Sequence, residues 1–237
     1  YNYVESVTDV FHSICATTTM WMRRLGFTKR IITIPFWNNE HVWRKIDVSR
    51  VQFAIKQDVY LVGSFQRDTE GGSIPTGIYS PKLEKGPDIF IEAIKVLRER
   101  HPNLQVVLSG RCRQFVMKKL DELKIVYHYF EMCDAETLNM LYNILDLYII
   151  GSRIEGGPRA VNEASLTQTP LYTTDVGIVP YICHPDSIYD KKDIRSILKC
   201  RSDIEWNYEH AMEYSIQRHM KRFTRRLFNS GHRYFEA

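Results

Sequence analysis

Two short segments of this 237-residue sequence contain the residue types that bind phosphate. Lys85-Gly86 comes directly before one predicted helix, and Glu155-Gly156-Gly157-Pro158 comes directly before another. Pro158 suits the first helical position, because its missing N–H would have no partner there. The free N–H groups and the positive dipole end of a helix favour an anion, and Lys85 and Arg67 would add charge-assisted hydrogen bonds. The two segments therefore predict a phosphate site if the fold brings them together.

Glu155 and Glu163 are the carboxylates nearest to this predicted site. Glu163 lies about one and a half turns into the second helix, in the apolar stretch 160–164. A carboxylate among apolar neighbours loses its hydration and needs hydroxyl or cationic partners. Ribose hydroxyls are such partners in dinucleotide-binding domains. The alternative is a structural ion pair with an arginine of the chain itself.

Strands and helices alternate from Val59 onwards, and this order decides where the two predicted phosphate-binding segments lie. Such alternation indicates βαβ units on a parallel sheet, and strands that are apolar throughout favour a sheet covered on both faces. Ligands bind beyond the carboxyl ends of such strands, where both segments fall. We predict a Rossmann-like α/β domain with strands over 59–62, 104–108, 125–130, 145–150 and 171–174, and helices over 88–100, 115–123, 135–144 and 158–166.

The flanking segments are less regular. The sequence predicts a helix over 10–25, a strand over 30–34 that Pro35 ends, and a helical tail over 206–235. Glycine and proline over 69–85 predict a long exposed loop. The tail carries a basic stripe that indicates either a solvated face or contact with an anionic membrane surface: Arg218, Lys221, Arg222, Arg225 and Arg226.

Composition excludes several classes of protein. The formal net charge is +4 and 44% of the residues are hydrophobic, which is ordinary for a globular protein and does not indicate nucleic-acid binding. No apolar run approaches the roughly 18 to 20 residues of a membrane span. The five cysteines are scattered without a C-x-x-C pair, and the histidines lack ligand-like spacing. We therefore expect reduced thiols, a cytoplasmic protein, and no metal or other cofactor.

Three motifs, taken in order, resemble the retaining glycosyltransferases of the GT-B fold, family 4, also called glycosyl transferases group 1. They are Lys85-Gly86, an E-x7-E element from Glu155 to Glu163, and Asp175-Val176-Gly177 after an apolar strand. The resemblance implies the C-terminal, donor-binding half of such an enzyme. It also implies transfer of a sugar from a nucleotide-diphosphate sugar to an acceptor hydroxyl with retention, which is the reaction of a hexosyltransferase.

The same resemblance implies roles for individual residues. Lys85, with Arg67 as a partner, would contact the donor diphosphate, Glu155 would accept from hydroxyls of the donor sugar, and Glu163 would hold the ribose. Lys85, Arg67 and Glu155 are the implied catalytic residues. Cations aimed at the charge that grows on the leaving phosphate make a metal unnecessary. The other implied donor contacts are Ser64, Gly86, Phe130, Gly156, Gly157, Pro158, Arg159 and Ala160.

The sequence also departs from this family. Ser64 stands where many members have arginine, and the loop over 69–84 is longer than the common form. We expect a further N-terminal acceptor domain before Tyr1. His12 is then expected to have a core or capping role. The chain alone is expected to bind the donor without transferring sugar at a useful rate. The expected divisions are the end of that domain and a linker over 1–48, the donor-binding domain over 49–203, and a C-terminal helix over 204–237 that crosses back toward the N-terminal domain.

Two alternatives remain open. One is a nucleotide-sugar epimerase of the same fold, against which the E-x7-E element argues, and the other is a non-catalytic nucleotide-sugar-binding fragment. The expected partner is a nucleotide-diphosphate sugar, while the base, the sugar and the acceptor (glycan, lipid or protein) cannot be read from the residues. An exposed apolar surface around Trp37, Trp43, Phe223 and Phe228 is expected to drive self-association.

Overall fold

A computed structural model describes residues 2–71 and 79–228, which build a small N-terminal part and a larger α/β part. In the N-terminal part, two parallel strands pair with each other, and helices precede and connect them. A 3₁₀ turn at Arg50–Phe53 follows on the way to the second part. The elements of the N-terminal part are α1 (Asn2–Val7), β1 (Val10–Ser13), α2 (Ala16–Arg24) and β2 (Arg30–Thr33).

The larger part is a five-stranded parallel sheet with helices between its strands. Short 3₁₀ turns lie at Leu83–Lys85, Pro185–Ser187 and Ile194–Lys199. The strands are β3 (Leu61–Ser64), β4 (Gln105–Ser109), β5 (Tyr127–Phe130), β6 (Leu147–Ile150) and β7 (Leu171–Thr173). The helices are α3 (Pro87–Arg98), α4 (Gln114–Glu122), α5 (Ala135–Asn143), α6 (Arg159–Leu166), α7 (Val179–Ile182), α8 (Ile204–Met212) and α9 (Ile216–Phe228).

The strand order β5-β4-β3-β6-β7 places a switch point between β3 and β6. Val62 of β3 lies opposite Val106 of β4 on one side and opposite Leu147 of β6 on the other. The winding of the chain therefore reverses between β3 and β6, and ligands bind at such a point beyond the carboxyl ends of the strands. The segments that follow Ser64 and Ile150 meet there.

Helices cover both faces of this sheet. Leu61 of β3 packs into a cluster that includes Tyr142, whereas its neighbour Val62 packs into a second cluster that includes Phe90. Every residue of β3 and of β6 is buried. The predicted α/β class, with a parallel sheet between two helical layers, is confirmed.

A strand replaces the first part of the helix that the sequence predicts over 10–25. β1 pairs with β2 so that His12 lies opposite Ile32, and α2 begins only at Ala16. The prediction is wrong because Val10 and Phe11 fit a helical pattern and a strand pattern equally well over so short a run. Pairing with β2 decides the outcome, since strand preference depends on neighbours more than on the residue itself.

The predicted tail helix is interrupted. α8 ends at Met212 and α9 begins at Ile216, and between them Ser215 forms a β-bridge with Asn38. The first N–H groups of α9, at Ile216 and Gln217, donate to the carboxylate of Glu40 at 2.9 and 3.2 Å. The predicted tail beyond residue 228 lies outside the described residues.

Two histidines hold the chain where β2 ends. His12 Nε2 lies 2.7 Å from the carbonyl oxygen of Ile34, and His219 Nε2 lies 2.8 Å from that of Pro35. A carbonyl oxygen only accepts, so each Nε2 carries its ring proton and donates. Arg222 donates to the other ring nitrogen of His219, Nδ1, at 2.8 Å, and burial lowers the pKa of His219. His219 is therefore a neutral imidazole between α9 and the end of β2.

The apolar surface expected around the tail is smaller than predicted. Phe223 packs against Ile32 of β2 and is only 7% exposed, and Trp43 is partly buried against the core. Trp37 and Phe228 are exposed. Phe223 is buried because α9 turns its apolar side toward β2 rather than toward solvent.

The opposite side of α9 is basic and exposed at Lys221, Arg225 and Arg226. Across the part of the chain that the structure describes, no helix is both long enough and apolar enough to cross a membrane.

Two glycines bring the loops at the switch point into backbone contact. Gly86 joins the 3₁₀ turn at Leu83–Lys85 to α3 with φ +61°, in the left-handed region. A Cβ on Gly86 would lie 1.8 Å from the carbonyl oxygen of Gly151, which directly follows β6. That overlap cannot be relieved by moving a side chain, because the obstructing atom belongs to the backbone. Glycine at position 86 is therefore required for the two loops to touch.

We predict that Gly86→Ala lowers the free energy of unfolding by about 2 kcal/mol or more, since left-handed strain and overpacking each cost about 1 kcal/mol or more. Gly26→Ala is the matched control, because Gly26 also has positive φ (+92°) but no heavy atom lies within 4 Å of its Cβ position. Urea denaturation of both variants gives the comparison. Equal losses in the two variants would contradict the overlap.

Candidate functional site

Lys85 and Glu155, one from each predicted phosphate-binding segment, lie in contact at the switch point. Nζ of Lys85 donates to Oε1 of Glu155 at 2.5 Å. The Lys85 side chain is 28% exposed and that of Glu155 is 10% exposed, so the pair opens to solvent mainly on the lysine side. A cation and an anion therefore satisfy each other where an anionic ligand is expected.

Backbone and side-chain hydrogen bonds tie the two segments together. The N–H of Arg153 donates to the carbonyl of Glu84 at 2.8 Å. The guanidinium of Arg153 also donates to both carboxylate oxygens of Asp88 at 2.7 and 2.6 Å and lowers the pKa of Asp88. Because Asp88 lies in the first turn of α3, the loop after β6 is anchored to the start of that helix.

Gln66 and Ser152 belong to the same group, although sequence reasoning did not select them. Ser152 is fully buried, and its Oγ lies 3.1 Å from Glu155 Oε1 and 3.0 Å from Gln66 Oε1. Thr174 Oγ1 donates to the Ser152 carbonyl at 2.5 Å. Only their position in the sequence could have indicated these two residues, because Gln66 and Ser152 each follow a strand whose carboxyl end lies at the switch point.

The Arg67 side chain forms hydrogen bonds within its own loop. Its Nε donates to the carbonyl of Thr69 at 3.1 Å, and a terminal nitrogen donates to the carbonyl of Gly71. In this structure the Arg67 guanidinium thus holds the loop after β3 rather than joining Lys85 and Glu155. Its implied contact with the diphosphate stays a prediction. Part of the long predicted loop, 72–78, lies outside the described residues.

Ser64 lies beside a buried arginine. Arg113, which follows β4, is only 1% exposed. Its Nε donates to Asp68 Oδ2 at 2.5 Å, and its terminal nitrogens donate to the Ser109 carbonyl at 2.7 Å and to the carbonyl and hydroxyl of Ser64. Burial of the guanidinium is acceptable because Asp68, also buried, supplies an ionic partner. This pair locks together the loops that follow β3 and β4.

Glu163 has a protein hydroxyl as a partner. Its Oε2 accepts a hydrogen bond from the hydroxyl of Tyr142, on α5, at 2.9 Å. Burial raises the pKa of Glu163, and it also raises the pKa of Tyr142, which stays a neutral donor. The nearby Arg159 acts in the opposite direction on Glu163. The sequence predicted a carboxylate that needs hydroxyl or cationic partners but not this tyrosine, which lies in a different helix.

The glycines after Glu155 lie so close to Ile14 that a side chain at either position would require the Ile14 side chain to move. A Cβ on Gly156 would lie 2.9 Å from Ile14 Cδ1, and one on Gly157 would lie 2.8 Å from the same atom. Gly177 has φ +54°, and its Cβ would lie 2.1 Å from the carbonyl oxygen of Gly156. The Asp175–Gly177 motif therefore abuts the E-x7-E element directly.

Pro158 is the residue before α6 rather than its first helical residue. Its ψ of 109° is extended, and the helix begins at Arg159, which is exposed, followed by the partly buried Ala160. The predicted position is thus wrong by one residue. Phe130, at the end of β5, packs edge-on against Phe53 with ring centroids 5.5 Å apart. Its implied contact with the base stays a prediction.

A cleft of about 300 Å³ lies between the N-terminal part and the start of α6. Neither Lys85 nor Glu155 lines it, so it is a second compartment beside their ion pair. Trp43, on its wall, meets Tyr142 edge-on with centroids 6.0 Å apart. The cleft is lined by Gly157, Arg159, Asn162 and Glu163 on one side, by Phe36, Trp37, Asn38, Asn39 and Trp43 on the other, and by Ile14, Ile178 and Ile216.

Within residues 2–71 and 79–228, no three His, Cys, Asp or Glu side chains come together in a group that could hold a metal ion. The expectation that the reaction needs no metal stays a prediction.

The sequence matches a known protein family over the part of the chain that contains the candidate site. A family model described as glycosyl transferases group 1 matches residues 79–212, more than half of the chain. That range includes the Lys85-Gly86 segment and the whole E-x7-E element. A search of curated proteins finds no match.

Solved structures share the fold at low sequence identity. Sucrose-phosphate synthase from Thermosynechococcus elongatus superposes with a TM-score of 0.75 at 15% identity, over 97% of this chain and 61% of that protein. Anabaena HepE in complex with UDP-glucose gives 0.74 at 14% identity, over 96% and 66%. S. aureus TarM, crystallised as a mutant with UDP, gives 0.68 at 14% identity, over 96% and 46%. The chain thus spans less than two thirds of the length of these proteins.

We predict that Arg113→Met lowers the free energy of unfolding by about 3 to 5 kcal/mol, because it leaves the Asp68 carboxylate buried and unpaired. Arg111→Met is the control, since Arg111 is exposed on the same loop and its loss changes stability by no more than about 0.5 kcal/mol. Chemical denaturation measures both. Similar effects of the two substitutions would show that the buried pair does not stabilise the fold.

We also predict that Glu163→Gln raises the free energy of unfolding at pH 7. The raised pKa of Glu163 means that its favourable protonated form is fully present below the ordinary value of 4.5 and is lost as the pH rises through the folded value. Glutamine keeps an acceptor for Tyr142 without a buried charge, so the advantage of the variant shrinks as the pH falls toward 4.

Urea titrations from pH 4 to pH 8 test this difference, with Glu209→Gln at an exposed position of α8 as the control. A Glu163→Gln variant that is less stable than the wild type at pH 7 would show that the carboxylate is stabilising there.

Proposed function

This chain belongs to the glycosyl transferases group 1 family, and on that premise we propose that it binds a nucleotide-diphosphate sugar and takes part in transferring the sugar, with retention, to an acceptor hydroxyl. The observation that carries the proposal is the contact of Lys85 with Glu155 at the switch point of a GT-B domain. The UDP and UDP-glucose complexes of structurally similar proteins support a nucleotide sugar as the donor.

In this proposal Lys85 acts on the leaving group. The donor diphosphate takes the place of Glu155 as the partner of Lys85, which exchanges one oxyanion for another at the same ammonium group. During transfer, negative charge accumulates on the phosphate oxygen that leaves the sugar. Lys85 stabilises that charge more strongly in the transition state than in the ground state, and this difference is what accelerates the reaction.

Glu155, once released from Lys85, accepts hydrogen bonds from hydroxyls of the donor sugar. Its orientation comes from Ser152, whose buried hydroxyl lies 3.1 Å from the carboxylate. The backbone at Gly156, Gly157 and Arg159 precedes or begins α6, so its N–H groups lie at the positive end of a helix. Together these groups orient the sugar ring relative to the diphosphate.

Glu163 holds the ribose of the donor in the same proposal. Tyr142 donates to Oε2 at 2.9 Å and so fixes the carboxylate, and the remaining acceptor capacity of Glu163 is available to ribose hydroxyls. Lys85 supplies the positive charge that a metal ion would supply in other transferases, so we propose a metal-independent donor site.

We predict that Lys85→Ala weakens binding of UDP, UDP-glucose or the GDP equivalents by about 1.5 to 3 kcal/mol, the value of a hydrogen bond to a charged group, and leaves nucleoside binding unchanged. Glu163→Ala weakens nucleotide and nucleoside alike, because both contain ribose. Isothermal titration calorimetry with and without EDTA measures each affinity.

Lys82→Ala is the matched control for this experiment, because Lys82 lies three residues away and pairs with Glu84 at 2.5 Å rather than with Glu155. Loss of nucleotide binding in EDTA would contradict the metal-independent site. A wild-type chain that binds none of these nucleotides would overturn the proposed function.

A further inference from the structure

Helix α9 contains five basic residues and no acidic ones. At about 100° per residue, the five fall within an arc of about 140° around the helix axis. His219 and Phe223, which are buried, lie outside this arc. The positive charge of α9 is therefore gathered on one exposed side, which we call the basic face. The basic face consists of Arg218, Lys221, Arg222, Arg225 and Arg226.

The chain itself neutralises only part of this charge. Arg218 pairs with Glu213 at 3.3 Å, and Arg222 donates to Nδ1 of His219 at 2.8 Å and to the Glu213 carbonyl at 3.3 Å. Three cations of the basic face form no ion pair with any carboxylate in residues 2–71 and 79–228: Lys221, Arg225 and Arg226. These three side chains are exposed and free to meet an external anion.

The basic face differs from the solvated faces of other helices in this chain. On α3, Lys95 pairs with Glu92 at 2.7 Å, three residues away, and α4 has a lysine–glutamate pair at the same spacing. On α9 the residues at such spacings have like charges, as Lys221 and Arg225 do four residues apart, and like charges at this spacing destabilise a helix. An anionic surface against the basic face would remove that repulsion.

An exposed aromatic ring borders the basic face. Phe228 is 73% exposed and lies about 20° from Lys221 around the helix axis. A cluster of four to eight lysines and arginines on an amphipathic helix is typical of binding to anionic lipids, and aromatic side chains next to such cations are typical of membrane interfaces. Because Phe223 packs against β2, the opposite side of α9 is presented outward without any rearrangement.

We propose that the basic face of α9 docks the protein onto a membrane surface that contains anionic lipids. The contact is electrostatic, with ammonium and guanidinium groups against the phosphates and carboxylates of lipid headgroups. The apolar side of α9 stays against β2, so binding is reversible and the helix does not insert. Neither Lys85 nor Glu155 takes part, and the contact is therefore independent of the proposed donor site.

Co-sedimentation with phosphatidylcholine vesicles that contain increasing fractions of phosphatidylserine tests this contact. We expect binding to rise with the anionic fraction and to disappear in 1 M salt, where the Debye length is about 3 Å. Replacing Lys221, Arg225 and Arg226 by glutamine together lowers the affinity about 100-fold, because each cation near an anionic surface contributes about five-fold. Arg225→Gln alone, with about a five-fold loss, serves if the triple variant fails to fold.

The matched control removes three exposed cations from other parts of the chain. Arg111, Lys118 and Arg201 are replaced by glutamine together, which changes the net charge by the same amount. This control keeps the affinity of the wild type within about two-fold, because these side chains lie outside the basic face. Both triple variants keep the melting temperature of the wild type or exceed it, since all six side chains are exposed.

Three outcomes overturn the inference. The first is a wild-type chain that does not bind phosphatidylserine vesicles at low salt, and the second is an equal loss of affinity in the two triple variants. The third is tighter binding to a mixed-sequence RNA 20-mer than to vesicles, lost in the α9 triple variant, which would show that the basic face binds nucleic acid. In each case nucleotide binding that weakens on Lys85→Ala would leave the proposed function intact.

Discussion

The candidate site depends on the contact between two backbones at Gly86 and Gly151. A parallel sheet brings the loops after β3 and β6 to the same edge, but side chains would hold them apart. With glycine on both sides, the start of α3 lies against the loop after β6, and Lys85 comes within 2.5 Å of Glu155 across the gap. Further hydrogen bonds cross the same junction, because Ser152 bonds to Gln66 and Arg153 bonds to Asp88.

Two ion pairs, Arg113–Asp68 and Lys85–Glu155, lie beside this junction, and they differ in how deeply they are buried. Arg113 and Asp68 are almost fully enclosed, so opening that pair would expose an uncompensated charge to an apolar interior at a cost of about 3 to 5 kcal/mol. Lys85 is 28% exposed, so solvent reaches its pair with Glu155 and opening that pair leaves the ammonium group hydrated. In the proposed reaction an incoming phosphate replaces Glu155 beside Lys85, whereas the Arg113 pair stays closed. The fold thus combines a fully enclosed ion pair with a partly exposed one.

Sequence periodicity was enough to predict the larger part of the fold. The strands of the five-stranded sheet are apolar throughout, and the helices between them are bounded by turn residues, so alternation alone indicated the architecture. The N-terminal part was less predictable, because Val10 and Phe11 become a strand only through pairing with Arg30–Thr33.

The partners of the site residues were the least predictable feature. The motif spacing pointed to Lys85, Glu155 and Glu163, but Tyr142 lies on a different helix from Glu163. Asp68 and Arg113 are separated in the chain by both α3 and β4. Such pairs depend on how helices and loops pack in three dimensions, which no local pattern encodes.

The His219 imidazole at the end of β2 gives the joint between the two parts of the chain a dependence on acidity. A second proton on His219 would go to Nδ1, the atom that now accepts from Arg222, and would set two positive charges against each other. Burial already lowers the pKa of His219, so the unfolded chain takes up protons first, near its ordinary value of 6.5. The stabilisation is complete above that pH and disappears as the pH falls through the folded value. Mild acidification would therefore loosen α9 from the strand it covers before it disturbs the five-stranded sheet.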